Sequence, residues 1–297
     1  MPNLGPEHIR GSLCALLTPF HDGAVDVRAY SALIDWHLRE GTHGLVPCGT
    51  TGESPTLSED EQDTLISICV ERAGGKVPIV AGTGTNSTAS SIQRTKRAEE
   101  LGVDAAMLVA PYYNKPTQEG LYQHFKAVAD ATKLPVILYN VPSRTVTNIS
   151  VETLARLSEV PNIIGVKDAT ADLARVTHQR AACGTDFIQL SGEDATALAF
   201  NSEGGIGCIS VTANVAPGLC SRFQEASLSG DTKEALALQD RLMGLHDAIF
   251  LETSPSPVKY ALSLLDKCSE EVRLPLVPPT EPTRAKVKAA LEAAGLV

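Results

Sequence analysis

The sequence predicts a (β/α)8 TIM barrel followed by a small C-terminal helical domain. Short, almost entirely apolar runs recur eight times, segments with helical periodicity fill the intervals, and only helices are predicted beyond residue 230. Apolar strands that alternate with helices are typical of a parallel sheet covered on both faces. Eight such units are enough to close a barrel. We therefore expect a barrel over residues 1–230 and a helical domain over residues 231–297.

The apolar runs are predicted to be the barrel strands. In chain order they are Ser12–Pro19, Gly44–Cys48, Val77–Ala81, Ala105–Ala110, Pro135–Tyr139, Ile163–Lys167, Phe187–Leu190 and Gly205–Val211. Pro47 lies inside the second run, and because proline has no amide hydrogen, a bulge or an early strand end is needed there. An open doubly wound sheet is the alternative. A Gly-x-Gly-x-x-Gly fingerprint is missing after the first strand, where Thr18-Pro19-Phe20 stands, and this disfavours dinucleotide binding.

Helical periodicity is clearest in four segments of the barrel and three segments after it. These are Arg28–Glu40, Glu59–Ala73, Thr88–Leu101, Glu119–Thr132, Thr232–His246, Pro257–Leu265 and Thr283–Ala294. Gly230 is predicted to end the last barrel helix, and Asp231 with Glu234 to begin the next one. Proline-rich connectors, Thr253–Pro257 and Leu274–Pro282, are predicted to join the C-terminal helices.

Composition and charge restrict the possible partners and the compartment. The chain carries 25 Lys and Arg against 35 Asp and Glu, a net charge of −10, which argues against nucleic acid or an anionic membrane as partner. No run approaches the roughly 18 apolar residues of a membrane span. The seven cysteines form no Cys-x-x-Cys pair, the seven histidines show no metal-ligand spacing, and residues 1–10 lack the apolar run of a signal peptide. We expect a soluble, cytoplasmic protein without a metal.

Lys167 is the most informative single residue. It ends the sixth predicted strand, and in a barrel the active site lies at the C-terminal ends of the strands. An amine held there would lose contact with water, which favours its neutral form and allows attack on a carbonyl. The alternative is a strand-end lysine paired with Asp168 or another carboxylate, and the local sequence leaves both possibilities open.

Residues at neighbouring strand ends could assist this amine. Tyr139 ends the adjacent strand, about 4.8 Å away, where a phenol could transfer protons in Schiff-base chemistry. Its hydroxyl could equally satisfy a buried backbone group. Arg144, in the loop that follows, suits a carboxylate, although a single loop arginine is usually a surface residue. The Gly49–Ser54 turn offers hydroxyls and backbone amides to a carboxylate, a weak signal taken alone.

Six segments together resemble the dihydrodipicolinate synthase family, within the superfamily of pyruvate-dependent class I aldolases and N-acetylneuraminate lyase. They are GTTGES (49–54), PYYNKPTQEGLYQHF (111–125), YNVPSRT (139–145), IIGVKDAT (163–170), LSGEDA (190–195) and GCISVTANV (207–215). GTTGES and the lysine-bearing strand belong to the whole superfamily, whereas Tyr113 and Arg144 single out this family. The resemblance implies a lyase that condenses pyruvate with L-aspartate 4-semialdehyde to 4-hydroxy-tetrahydrodipicolinate, in lysine (diaminopimelate) biosynthesis. It implies no cofactor.

The resemblance also implies catalytic roles for four residues. Lys167 would form an imine with pyruvate. Tyr139 would donate and accept protons, linked through Thr50 to Tyr113 in a relay. In relatives Tyr113 reaches into the active site of a neighbouring subunit within a dimer of dimers, so the resemblance implies a homotetramer.

Substrate contacts are implied at four further positions. Thr51 and Ile209 would contact the pyruvate moiety through hydroxyl and main-chain groups, and Gly192 belongs to the same substrate-binding set. Arg144 would receive the carboxylate of the aldehyde substrate.

A regulatory site is implied where the sequence departs from the family pattern. Lysine-inhibited members bind lysine at a subunit interface, and the corresponding positions here are Asn86, Tyr112, Gln62, Ser90 and Pro55. Asn86 and Tyr112 are retained, whereas Gln62 and Ser90 replace a histidine and a glutamate. The loss of an anionic partner should weaken lysine binding by about 1 kcal/mol or more. We therefore expect weak or absent feedback by lysine.

Two alternatives remain. A sister aldolase acting on N-acetylneuraminate or a 2-keto-3-deoxy sugar acid would share Lys167 and Tyr139 but has no special need for Arg144 or Tyr113. A barrel that binds a keto acid as a sensor, without turnover, would not need the full set of catalytic residues.

Overall fold

The structure, a computed structural model, describes residues 4–297. Within that range the strands are β1 (Gly11–Ala15), β2 (Phe20–His21), β3 (Ala24–Val25), β4 (Gly44–Val46), β5 (Val80–Gly82), β6 (Ala105–Val109), β7 (Val136–Asn140), β8 (Ile163–Asp168), β9 (Ile188–Ser191) and β10 (Gly207–Ser210). Strands β2 and β3 form a separate antiparallel ribbon, and the other eight pair in the order β4-β1-β10-β9-β8-β7-β6-β5. A parallel bridge between Leu45 and Ile79 joins the two outer edges. The sheet therefore closes, and the predicted (β/α)8 barrel is confirmed.

Helices surround the barrel and continue beyond it. They are α1 (Val27–Arg39), α2 (Glu59–Ala73), α3 (Thr88–Glu100), α4 (Gln118–Ala129), α5 (Pro142–Thr145), α6 (Val151–Ser158), α7 (Ala174–Cys183), α8 (Ala197–Ser202), α9 (Pro217–Ser229), α10 (Thr232–Ala248), α11 (Ser256–Leu264) and α12 (Glu281–Ala294). The helix predicted over Glu59–Ala73 has the observed bounds because Ser58 and Glu61 form a capping box and Gly74 ends the helix in a left-handed conformation. None of the helices in the described range is long and apolar enough to cross a membrane.

Pro47 is accommodated by an early strand end. Strand β4 stops at Val46, so the predicted strand Gly44–Cys48 is two residues too long. The Pro47 carbonyl still accepts a hydrogen bond from the Gly82 amide at 2.9 Å. A Cβ on Gly82 would lie 2.4 Å from the Cys48 carbonyl oxygen, so only glycine allows this approach.

The pleat of β7 and β8 divides their side chains between the barrel interior and the helix layer. Leu138 and Val166 belong to a buried cluster with residues of α4 and α6, including Phe125. Tyr139 and Lys167, one residue further along each strand, are register partners and face the interior. The pairing of two adjacent strands is thus sufficient to bring these two side chains together.

The transition at residue 230 has the predicted capping residues. Gly230 ends α9 with a φ of 83°, and the Asp231 side chain accepts a hydrogen bond from the Glu234 amide at 3.1 Å, which begins α10. Helix α10 packs against both α9 and α12, so it contacts the barrel helices as well as the C-terminal ones. The division into residues 1–230 and 231–297 stays a prediction.

Candidate active site

A cavity of about 510 Å³ opens at the C-terminal ends of the barrel strands. Its lining comes from the ends of β1, β6, β7 and β8, from the turns after β4, β9 and β10, and from the segment that follows α10. The lining includes six residues predicted from sequence, namely Thr50, Thr51, Tyr139, Arg144, Lys167 and Gly192. One concave surface therefore holds most of the predicted site.

Lys167 is buried in this cavity with its amine beside an aromatic ring. Its exposed fraction is 4%, and Nζ lies 4.2 Å from the centroid of the Tyr139 ring. A Cβ on Gly192 would lie 3.1 Å from Lys167 Cε and 2.7 Å from Ala169 Cβ. The absence of a side chain at Gly192 therefore makes room for the Lys167 side chain.

Asp168 is not the partner of Lys167. Strand alternation turns its carboxylate away from the cavity, where it binds Arg175 Nε at 3.1 Å and Gln179 Nε2 at 2.7 Å. Within residues 4–297, Lys167 takes part in no ion pair. Asp168 is therefore excluded as the ion-pair partner, and the Glu193 carboxyl is the neighbouring acid that interacts electrostatically with Lys167.

Two successive turns shape the segment that carries Thr50 and Thr51. The Gly52 amide donates to the Gly49 carbonyl and the Glu53 amide to the Thr50 carbonyl, each at 3.1 Å. Glu53 takes a left-handed backbone conformation, with a φ of 55°, which is unfavourable for a residue with a side chain. Thr50 and Thr51 both line the cavity, with hydroxyls and backbone amides available to a carboxylate.

Arg144 lies on α5, at the rim of the cavity. It also lines a second cavity of about 220 Å³, which it shares with Thr50. The loop that carries α5 is held by Asn140, a fully buried residue that the sequence analysis did not select. Its amide nitrogen donates to Asn148 Oδ1 at 2.9 Å, and its amide oxygen accepts from the Ile149 amide at 3.0 Å.

Tyr113 and Ile209 are not in the cavity lining. Tyr113 is 88% exposed and has a left-handed backbone conformation, with a φ of 71°. Ile209 is fully buried in β10, and Val211 lines the cavity at that side. One chain therefore brings together the lysine, the first tyrosine and the arginine, but not the second tyrosine of the predicted relay.

Three of the five predicted regulatory positions lie together. Pro55 and Tyr112 line the second cavity, and the Asn86 side chain donates to the Tyr112 carbonyl at 3.3 Å. Pro55 and Tyr112 line this cavity together with Thr50 and Arg144, so the predicted regulatory region adjoins the candidate active site.

The other two regulatory positions do not line that cavity. Gln62 is buried, and its amide donates to the carbonyls of Ser54 and Leu57, both at 3.3 Å. Ser90 lies on α3, and its amide is bound by Ser87 Oγ at 3.4 Å. Neither side chain offers the second cavity a negative charge.

The C-terminal segment Phe250–Ser254 contributes to the main cavity, which the sequence analysis did not predict. The sequence instead predicts a connector between helices over Thr253–Pro257. Glu193 also lines the cavity. Burial raises the pKa of the Glu193 carboxyl, neighbouring Asp194 raises it further, and Lys167 acts in the opposite direction. No local sequence pattern marks the contribution of Phe250–Ser254, because the other lining residues are distant from it in sequence.

No group of three or more His, Cys, Asp and Glu side chains among residues 4–297 could hold a metal ion. All seven cysteines lie in the described range and have free thiols.

Comparisons with known proteins agree with this arrangement. The family model described as the dihydrodipicolinate synthetase family matches residues 8–294. The chain is 57% identical over 288 residues to the 4-hydroxy-tetrahydrodipicolinate synthase of Parvibaculum lavamentivorans, covering 97% of this chain and 99% of the relative. It is 59% identical to the enzyme of that name from Rhodospirillum centenum, with the same coverage.

A solved structure leads to the same family. The 4-hydroxy-tetrahydrodipicolinate synthase from Methylacidiphilum fumariolicum SolV superposes with a TM-score of 0.95 at 42% sequence identity, covering 97% of this chain and 96% of that one. Sequence match, barrel fold and a buried strand-end lysine therefore all indicate one relationship. The chain belongs to the dihydrodipicolinate synthetase family.

Proposed function

We propose that this protein condenses pyruvate with L-aspartate 4-semialdehyde to give 4-hydroxy-tetrahydrodipicolinate, in lysine (diaminopimelate) biosynthesis. It is then a lyase that works through a Schiff base on Lys167. One observation carries the mechanism: the Lys167 amine is buried at a strand end over the Tyr139 ring and forms no ion pair with a carboxylate of residues 4–297. The names of relatives 57% and 59% identical to the chain support the reaction.

The first half of the reaction activates pyruvate. The neutral Lys167 amine attacks the keto carbon to give a carbinolamine, which loses water to form an imine. The imine withdraws electrons from the adjacent methyl carbon, which loses a proton and becomes a nucleophilic enamine. The Tyr139 hydroxyl is the proton donor and acceptor for these steps, linked through Thr50 to Tyr113.

The second half forms the new carbon–carbon bond and closes the ring. The enamine carbon attacks the aldehyde carbon of the second substrate, whose oxygen takes up a proton and becomes the 4-hydroxyl. The amino group of that substrate then attacks the imine carbon and displaces Lys167. One water molecule is released overall, and no external oxidant or reductant is needed.

The two substrates are assigned to different groups of the site. Thr51, which lines the cavity, and the main chain at Ile209, two residues before the cavity-lining Val211, contact the pyruvate moiety. Gly192 leaves room for the Lys167 side chain, so that its amine can reach the keto carbon. Arg144 lies at the rim and binds the carboxylate of the aldehyde substrate through its planar guanidinium.

The protein acts as a homotetramer, a dimer of dimers in which Tyr113 completes a neighbouring site. The 88% exposure of this large side chain supports an interface. The second cavity, of about 220 Å³ beside Thr50 and Arg144, is large enough for the phenol of another copy. Free thiols at all seven cysteines favour the cytoplasm as its compartment.

Feedback by lysine is weak or absent in this proposal. The second cavity is lined by Arg94 and Arg144 and by no carboxylate, so it offers no anion to the ammonium groups of lysine. In a lysine titration of the purified enzyme we expect no inhibition at concentrations near those of the substrates. A Ser90→Glu variant should gain sensitivity, and potent inhibition of the unmodified enzyme would contradict this part of the proposal.

A substrate comparison tests the reaction. The purified protein should consume pyruvate and L-aspartate 4-semialdehyde together, and should not cleave N-acetylneuraminate or a 2-keto-3-deoxy sugar acid. Cleavage of a sugar acid without condensation of the semialdehyde would favour a sister aldolase. Binding of pyruvate with no turnover of any of these substrates would favour a keto-acid sensor.

A further inference from the structure

A buried ion pair joins the threonine-bearing turn to the C-terminal helices. Lys259 Nζ, on α11, lies 2.5 Å from Glu53 Oε1, and the two side chains are 0% and 1% exposed. Lys259 is the ion-pair partner of Glu53 in the described chain, and Arg273 adds a more distant electrostatic attraction. Removal of Lys259 would leave an uncompensated buried charge directly after the turn.

Each partner of this pair is fixed by further contacts from the C-terminal region. Lys259 Nζ donates to the Glu271 carbonyl at 2.7 Å and lies 3.9 Å from the centroid of the Phe20 ring. The other oxygen of Glu53, Oε2, accepts a hydrogen bond from the Arg273 amide at 3.1 Å. Both oxygens of Glu53 are therefore held by residues that follow α10.

Arg273 extends the link to the start of α2. Its guanidinium binds Glu61 Oε1 at 2.5 Å and the Thr56 carbonyl at 2.8 Å. This hydrogen bonding lowers the pKa of the Glu61 carboxyl to about 2. The segment from Glu53 to Glu61 is thus held at both ends by the C-terminal region.

The energetics of the Glu53–Lys259 pair indicate a role in geometry more than in stability. Burial lowers the pKa of the Lys259 amine, and Glu53 only partly opposes this effect. A buried ion pair seldom adds net stability over a well-packed apolar pair of similar volume, but its directional contacts can hold one conformation. Here the conformation includes a left-handed Glu53, whose amide donates to the Thr50 carbonyl.

The same pair also lies close in sequence to a second part of the cavity lining. Lys259 lies on the second turn of α11, shortly after the cavity-lining segment Phe250–Ser254. The Gly49–Ser54 turn and the Phe250–Ser254 segment both contribute residues to the cavity lining. The Glu53–Lys259 ion pair connects the turn to the helix that follows this segment.

We infer that Glu53, Lys259 and Arg273 are positioning residues, through which the C-terminal helices hold Thr50 and Thr51 in the conformation that binds the keto-acid carboxylate. The inference rests on the proposed function, since it names how the pyruvate site is kept in shape. It assigns the C-terminal helices a part in catalysis without placing any of them in contact with the reacting atoms.

Glu53→Asp is the most informative variant, because it keeps the charge but shortens the reach toward Lys259. We expect the KM for pyruvate to rise, and the rate of borohydride trapping by pyruvate to fall, by roughly tenfold, with the KM for the aldehyde nearly unchanged. Lys259→Met should show a larger effect in the same direction. The double variant Glu53→Gln/Lys259→Met should lose less than the Glu53→Gln and Lys259→Met single variants together predict, because neither charge is then left unpaired.

Arg284→Gln is the matched control. It breaks an ion pair with Glu270 at 2.7 Å in the same region of the chain, away from the cavity, and should leave the KM for pyruvate unchanged. A lowered melting temperature in the Glu53 and Lys259 variants with an unchanged KM for pyruvate would overturn the inference. Purely multiplicative losses in the double variant would also overturn it. Either result would leave the proposed reaction intact, because that proposal fails only if the unmodified protein does not condense the two substrates.

Discussion

Tyr139 and Tyr113, two tyrosines with roles predicted in one proton relay, lie in opposite environments. Tyr139 is 6% exposed, on a barrel strand, with Lys167 as its register partner. Tyr113 is 88% exposed, in the loop after β6. The first is buried by strand pairing within the chain, whereas the second can be buried only by another molecule. One chain therefore brings Lys167 and Tyr139 together in the cavity and leaves Tyr113 outside it, so the proposed relay requires a second chain.

The exposed loop is nevertheless not loosely arranged. The Asn114 side chain donates to the Asn86 carbonyl at 2.8 Å, and the Asn114 amide donates to the Tyr112 carbonyl at 2.9 Å. Tyr113, between them, is held with a φ of 71°. An exposed aromatic side chain on a fixed backbone is typical of an interface anchor, since little conformational freedom is lost when it binds.

The largest expected effect is on the buried region. Lys167→Arg keeps the charge and approximate length but removes the amine that can form an imine, so kcat/KM should fall by at least about a thousandfold. Steady-state kinetics of condensation measures the loss, and the oligomeric state should stay that of the unmodified protein. Near-normal activity of this variant would show that another group forms the covalent bond.

A complementation experiment tests the contrast between the two tyrosines directly. Tyr113→Phe should reduce kcat by roughly a hundredfold or more, through loss of a proton-transfer group. When this variant is unfolded and refolded together with Lys167→Arg, mixed oligomers should regain activity, because some sites receive Lys167 from one chain and Tyr113 from the other. Tyr139→Phe mixed with Lys167→Arg is the control and should regain none, since these residues share one chain. Failure of the first mixture, with mixed oligomers verified, would place Tyr113 outside the relay.

A smaller effect is expected at the rim. Arg144→Leu removes a charged hydrogen-bonding partner of the aldehyde carboxylate, so the KM for the aldehyde should rise by about ten- to a hundredfold. The rate of imine formation with pyruvate should change little, because Lys167 and Tyr139 are untouched. Equal losses for both substrates would instead indicate a general distortion of the loop.

The smallest expected effect concerns the helices beside the exposed loop. His124 on α4 is buried and its Nδ1 is 2.9 Å from Thr88 Oγ1 on α3, and burial lowers its pKa from 6.5 to about 4. The folded form keeps it neutral while the unfolded chain takes up a proton below pH 6.5. Its contribution to stability is therefore complete above pH 6.5 and is lost as the pH falls toward 4. Urea unfolding at matched protein concentration measures how far the free energy of unfolding falls between pH 7.5 and pH 5.5. This decrease should be smaller in His124→Asn than in the unmodified protein by on the order of 1 kcal/mol.

The sequence could predict that Lys167 and Tyr139 lie together, because their placement depends on patterns within short stretches of the chain. Period-two alternation and the order of the strands are enough to place Lys167 and Tyr139 side by side at the same end of the barrel. Two of the errors in the strands occur at prolines: the strands predicted to end at Cys48 and to begin at Val77 instead end at Val46 and begin at Val80. Proline supplies carbonyls but no amide to the ladder, which shortens both strands. The first strand, predicted over Ser12–Pro19, already ends at Ala15.

The contacts that the sequence could not predict join distant parts of the chain. Arg273 binds Glu53 across 220 positions, and Phe250–Ser254 closes a cavity whose other walls precede residue 212. Asn140 was missed for a different reason, because a buried amide that ties a loop has no periodic signature. Side-chain hydrogen bonds of this kind depend on the folded backbone, so they become visible only with the structure.

The most direct test of the account is reduction with borohydride in the presence of pyruvate, followed by mass spectrometry of the digested protein. We expect one reduced pyruvyl adduct per chain, on the peptide that contains Lys167, and no adduct in Lys167→Arg. An adduct on another lysine, or none in the unmodified protein under conditions where it is active, would contradict the account.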